Sequence, residues 1–125
     1  MIRNFEDQTD PLSPEESILV PKFIQGLKTK IGKEKAISNK QIQNAFLTKS
    51  NIKIPAARVR KIINYIRING KLDNLCATSK GYYVASNKEE MDDYLLSLIE
   101  RISAQTEVYD SLLFQKNNTH WNEDK

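Results

Sequence analysis

A chain of 125 residues and 14.4 kDa, 39% hydrophobic and 28% charged, holds one modest core with a solvated periphery and excludes a second full-sized domain. No apolar run approaches the roughly 20 residues that cross a bilayer, and a single cysteine, Cys76, excludes an internal disulfide or a cysteine metal cluster. The net charge of +3 conceals a segregation. Residues 1–21 carry a net of −4, residues 22–80 set fourteen Lys or Arg against only Glu34 and Asp73, and residues 81–125 carry a net of −5.

In chain order, residues 1–12 form an acidic arm, expected to be flexible and closed by Asp10-Pro11. The start Met1-Ile2-Arg3-Asn4-Phe5-Glu6-Asp7 has neither the basic residues nor the apolar stretch of a secretory signal, so a cytoplasmic chain is expected. Ser13-Pro14-Glu15-Glu16 opens a helix with a Ser N-cap, Pro at the first position and Glu at the third. Ile18, Leu19, Phe23, Ile24, Leu27 and Ile31 keep a helical period up to Gly32, with a kink or a break into two helices expected at Pro21. Ile37 fits a short strand. Ser38-Asn39-Lys40-Gln41 is a second capping box, with Ile42, Ala45 and Phe46 as the buried face.

A turn over 48–54 leads to Pro55, expected as the first residue of a third helix reaching Asn69, with Val59, Ile62, Ile63 and Ile66 inward and Asn69-Gly70 ending it through a left-handed residue. Leu72 to Thr78 and Tyr82 to Ala85 read as two strands around a Ser79-Lys80-Gly81 turn. One of Tyr82 and Tyr83 is expected in the core and the other outside. Ser86-Asn87-Lys88-Glu89 opens a long helix over 86–115, in which Met91, Leu95, Leu98, Ile102, Tyr109 and Leu112 recur at alternating spacings of four and three, with Gln105 interrupting. That stripe either folds back to complete the core or pairs with a second copy, and pairing into a homodimer is favoured. Residues 116–125 are expected to be disordered.

The predicted fold is mainly α with a small β-hairpin. Three helices followed by a hairpin, over 13–85, is the order of a winged helix-turn-helix, here with a long C-terminal helix appended. In that geometry the third helix reads the major groove and the hairpin touches phosphates. At about 100° per residue, Ala57, Arg60, Lys61 and Asn64 lie opposite the apolar stripe, with Arg58 on a flank. Guanidinium suits a guanine edge, amide an adenine edge, and alanine permits close approach. Lys49, Ser50, Asn51 and Lys53 in the preceding turn and Lys80 at the hairpin tip are expected at phosphates. Six to eight such contacts would give a log–log salt slope of about −5 to −7. A solvated face is the plain alternative for any one basic helix, but the near absence of acids over 22–80 favours a polyanion.

From about Lys35 to Leu113 the chain resembles the small winged-helix proteins of bacteriophages and bacterial mobile elements. The residues that carry the likeness are Ser38 to Gln41, Arg58-Val59-Arg60-Lys61-Ile62-Ile63-Asn64-Tyr65-Ile66-Arg67-Ile68-Asn69-Gly70, and Ser79-Lys80-Gly81-Tyr82-Tyr83-Val84-Ala85. The resemblance implies a winged-helix fold and a role in replication or transcription.

Catalysis is not expected. There is no Gly-rich phosphate loop, no pair of catalytic acids and no zinc spacing, so neither a cofactor, a metal nor a small-molecule substrate is implied. His120 has no second ligand nearby, and Cys76 reads as a small buried apolar residue without a base. Glu89, Glu90, Asp92 and Asp93 suit the positive end of a helix dipole. The partner expected is nucleic acid, double-stranded DNA first and RNA as the open alternative. A protein-interaction adaptor built on the same scaffold is the competing function.

Overall fold

A computed structural model describes residues 11–121 of the chain. It comprises helix α1 (Pro14–Leu27), a single 3-10 turn (Lys33–Lys35), helix α2 (Asn39–Ser50), helix α3 (Ala56–Ile68), strands β1 (Leu75–Thr78) and β2 (Gly81–Val84), and helix α4 (Lys88–Asn118). The chain divides into two compact units, with the boundary between Met91 and Asp92. The expected arm lies almost wholly outside the described residues, although Leu12 packs against the core.

Local chemistry sets the helix starts. Ser13 accepts from the Glu16 N–H at 3.2 Å while the Glu16 carboxylate accepts from the Ser13 N–H at 2.8 Å, and Ser38 and Gln41 repeat the exchange at 3.1 and 2.8 Å. Helix α1 runs through Pro21 as one element, with the proline exposed and one backbone hydrogen bond forgone. It stops at Leu27, earlier than expected. Ile31 is outside it and 50% exposed, and Ile18 is 72% exposed, so neither belongs to the buried face that the periodicity suggested. Helix α3 begins one residue after Pro55, which is its N-cap, and Gly70 at φ 60° follows its C-cap Asn69.

The core of the first unit is where three helices and the hairpin meet. Phe23 and Leu27 of α1, Ile42 of α2, Val59, Ile62, Ile63 and Ile66 of α3, and Leu75 of β1 are all buried around Ile54 from the α2–α3 loop. Removing each such side chain from water stabilises the unit by roughly 1.5–3 kcal/mol, which outweighs the weak propensity of a β-branched helix like α3.

Strand β2 is the best-tied element of the sheet. It pairs antiparallel with β1, Leu75 opposite Val84 and Thr78 opposite Gly81, and on its other edge Ile37 and Tyr82 exchange bonds of 2.9 and 2.8 Å. The Val84 N–H donates to Lys30 O at 2.7 Å and the Gly32 N–H to Val84 O at 2.8 Å. Gly81 sits at φ +130°, and a Cβ there would fall on the Ile37 carbonyl. Tyr83 points inward at 2% exposure, whereas Tyr82 is half-buried, not exposed, because Ile37 lies alongside it.

Helix α4 begins one residue later than the expected box. Asn87 Oδ1 accepts from the Glu90 N–H at 2.8 Å, and the Glu90 carboxylate accepts from the N–H groups of Ser86 at 2.8 Å and Lys33 at 3.1 Å. Those N–H donors come first in holding the Glu90 carboxyl below its ordinary pKa. This first turn therefore belongs to the basic unit. At the other end α4 continues to Asn118, three residues into the segment expected to be disordered. Side chains close its last turn: Asn118 Nδ2 donates to Phe114 O at 2.7 Å, Thr119 Oγ1 to Gln115 O at 2.6 Å and the Trp121 indole to Lys116 O at 2.9 Å. Residues 122–125 lie outside the described residues.

Candidate nucleic-acid interface

The α2–α3 connection is held in one shape by the helices that flank it. Asn51, at φ 53° and ψ 36°, caps α2, with its N–H directed at Leu47 O and Phe46 O. Gln43 Nε2 donates to Ile54 O at 2.9 Å, and Asn39 Nδ2 donates to Ala56 O at 3.3 Å. The connection is thus pinned at its centre and its end. Asn51 has a structural duty there, since asparagine tolerates the left-handed region that a helix end requires, and this was the role that the phosphate reading overlooked.

Helix α3 presents three polar edges around its buried stripe, and only one agrees with the sequence-based placement. Lys61 is not on the outward face. Its Nζ donates to Glu16 Oε1 at 2.9 Å, leaving 18% of the side chain exposed, and Arg58 Nε lies 3.2 Å from Glu16 Oε2. Glu16 is itself 4% exposed. Burial alone would raise its pKa, but the Ser13 N–H and the Lys61 ammonium outweigh that and hold the carboxyl below its ordinary value. Two of the ten expected nucleic-acid contacts therefore share one internal carboxylate, which offsets one of their two positive charges. The signal was present in part, because Glu16 is a capping-box residue, but its pairing across more than forty positions is a tertiary fact.

The second edge faces the hairpin. Arg67 Nε donates to Leu75 O at 3.1 Å, and the charges of Arg60 and Arg67 bear on the Tyr82 phenol, whose pKa is nonetheless raised because burial dominates. The third edge is the outward one: Ala57 and Arg60 are exposed, while Asn64 is half-buried and already engaged within the protein.

Around this edge, Lys49 at the end of α2, Lys53 in the connection and Lys80 at the hairpin tip are exposed. Among the described residues no carboxylate lies within salt-bridge distance of these three or of Arg60. Ser50 is half-buried. Sequence reasoning passed over Lys40, which stands exposed in the first turn of α2 beside Asn39. It was legible as one of the fourteen cations.

The α4 stripe also changes in detail. Met91 leaves it, since its Sδ lies 3.9 Å from Cys76 Sγ in the first unit. Cys76 is fully buried, and burial raises its thiol pKa. Leu95, Ile102, Tyr109 and Leu112 are exposed, Leu98 half so, and they are joined by Leu96, Ile99, Val108, Leu113 and Phe114, exposed by 39–68%. Leu98, Arg101, Ile102, Gln105, Thr106 and Tyr109 line a shallow groove along this surface.

Among the described residues no group of His, Cys, Asp or Glu could hold a metal ion, and no helix is long and apolar enough to cross a membrane. No known protein family, curated protein or solved structure matches the chain.

Proposed function

We propose that the first unit is a winged-helix domain that binds double-stranded DNA without catalysing a reaction on it. The order of three helices and a hairpin, with Ile37 serving as a third short strand against β2, is the arrangement in which a braced third helix meets a major groove. The observation that carries the reading is the set of exposed cations without carboxylate partners among the described residues, Lys49, Lys53, Arg60 and Lys80, at the end of α2, on the connection, on the outward edge of α3 and at the hairpin tip. Ala57 and Arg60 are the residues placed to approach base edges, and the lysines meet phosphates. With Arg58 and Lys61 committed to Glu16, four cations remain, and the expected log–log salt slope drops to about −3.6. Fluorescence anisotropy on a duplex across a salt series tests this. Absence of binding at low salt, or a slope unchanged by Arg60→Ala and Lys80→Ala, would overturn it.

The exposed apolar surface of α4 favours a second component, self-association through Leu95, Leu98, Ile102, Tyr109 and Leu112, since such a surface is rarely left open to water. Two copies would present two α3 helices to one duplex. An adaptor that uses α4 to hold a different protein is the competing reading. Sedimentation of the wild-type chain and Ile102→Glu separates them: a concentration-dependent dimer lost in the variant supports pairing, and a monomer throughout supports the adaptor.

A further inference from the structure

Between α1 and α2 lies an open cleft of about 290 Å³, just below the roughly 300–1,000 Å³ range of ligand sites. Its floor is apolar: Phe23, Leu27, Ile42 and Phe46, with the two phenyl rings 4.9 Å apart at 32°. Lys22, Lys30 and Lys49 line it as well, and among the described residues no carboxylate does. Lys22 and Lys49 are exposed and Lys30 half so, so three ammonium groups reach solvent around an apolar floor. The main chain of Lys30 is fixed by the bond from Val84, so this part of the wall is set before anything binds.

Gly26 adds an independent observation. It lies in the last turn of α1 and lines the cleft. It is not among the glycines with positive φ, and a Cβ built on it meets nothing within 4 Å. Glycine is the poorest helix former after proline, and neither backbone nor packing requires it here. It leaves one lining position of the cleft without a side chain.

We propose that this cleft is a binding site for a small amphiphilic anion, an aromatic or short-chain carboxylate or sulfonate. The apolar body rests on the Phe23–Phe46 pair and the anionic head meets the ammonium groups of Lys22, Lys30 and Lys49. Burying a ring or short chain on this floor is favourable in proportion to the apolar area covered. The lysines discriminate against neutral analogues through charge that has no carboxylate partner among the described residues. The site does not depend on duplex binding, although Lys49 belongs to both surfaces.

The probe is 1-anilinonaphthalene-8-sulfonate, titrated into the full chain and followed by fluorescence, with neutral N-phenyl-1-naphthylamine as its uncharged counterpart. One saturable equivalent is expected. Its Kd should rise at least tenfold in the triple variant Lys22→Gln, Lys30→Gln, Lys49→Gln, with little change for the neutral probe, and saturable binding of both should vanish in Gly26→Leu. Circular dichroism of Gly26→Leu should show wild-type helix content, and the surface triple variant keeps the test decisive if that one fails to fold. An unchanged Kd for the anion in the triple variant overturns the proposal. So does fluorescence that persists in Gly26→Leu and falls in Ile102→Glu, which would put the probe on α4.

Discussion

Between Pro11 and Met91 the chain hides most of its large apolar side chains and shows most of its cations; from Asp92 onward the large apolar side chains are exposed as well. Among the described residues, eleven of the twelve buried hydrophobic ones lie before the boundary and only Tyr94 after it, while ten of the fourteen exposed large hydrophobic ones lie beyond it. By sequence the first stretch has sixteen basic and nine acidic residues, the second three and seven. The contrast teaches that the two are stabilised differently. The first unit is held by its own side chains. The helix beyond it has 4–3 periodicity but, among the described residues, scant burial, and a helix in that condition is marginal in water unless something covers it.

The comparison can be tested most severely by matched deletions. Ile62→Ala, at a position with no exposure, should cost about 2–5 kcal/mol in urea unfolding. Ile102→Ala, at 60% exposure, should stay within about 0.5 kcal/mol for dilute protein. Equal losses would mean that the helix beyond Met91 is as much core as α3. Next is Gly81→Ala, which sets a methyl group against the Ile37 carbonyl at φ +130°; a loss of about 3 kcal/mol is expected by thermal melting, with the hairpin affected before α4.

Glu16→Gln comes third, at about 1–3 kcal/mol, since it leaves Lys61 half-buried without its charge partner. This contribution depends on pH. The folded-state carboxyl titrates below its ordinary value of about 4.3. Its stabilisation is therefore complete above that value and is lost as pH falls through the lowered one, so acid unfolding monitored by circular dichroism should be less steep in the variant. Smallest is Arg60→Ala, which should leave the melting temperature unchanged while reducing the salt slope of duplex binding by about 1.

What could be read from the residues was local. Ser13 with Glu16 and Ser38 with Gln41 announce helix starts because the bonding partners are three positions apart, and Ser79-Lys80-Gly81 announces a turn because Gly81 alone accepts its backbone geometry. The α3 stripe was legible because four β-branched residues recur at one period and all four are buried. The candidate interface was legible as composition and less so as placement. Helical geometry put Lys61 opposite Val59 and Ile62, but a long side chain on a flank can swing towards a carboxylate on another helix, and nothing near Lys61 in sequence names Glu16. Ile18 and Met91 erred in the same way. Periodicity says which side chains share a face, and only the packed neighbours decide whether that face is covered.

The closed end of α4 has a practical consequence for spectroscopy. Trp121 is the chain's single tryptophan, and its indole is bonded to the carbonyl of Lys116, far in sequence from the tyrosines at 65, 82 and 83 in the basic unit. Selective excitation of indole emission therefore monitors the fraying of one terminal turn, while tyrosine absorbance reports on the packed interior together with Tyr94 and Tyr109 of α4. An indole curve that departs from the tyrosine curve would show that the polypeptide loses its order in two steps, and coincident curves that it does so in one.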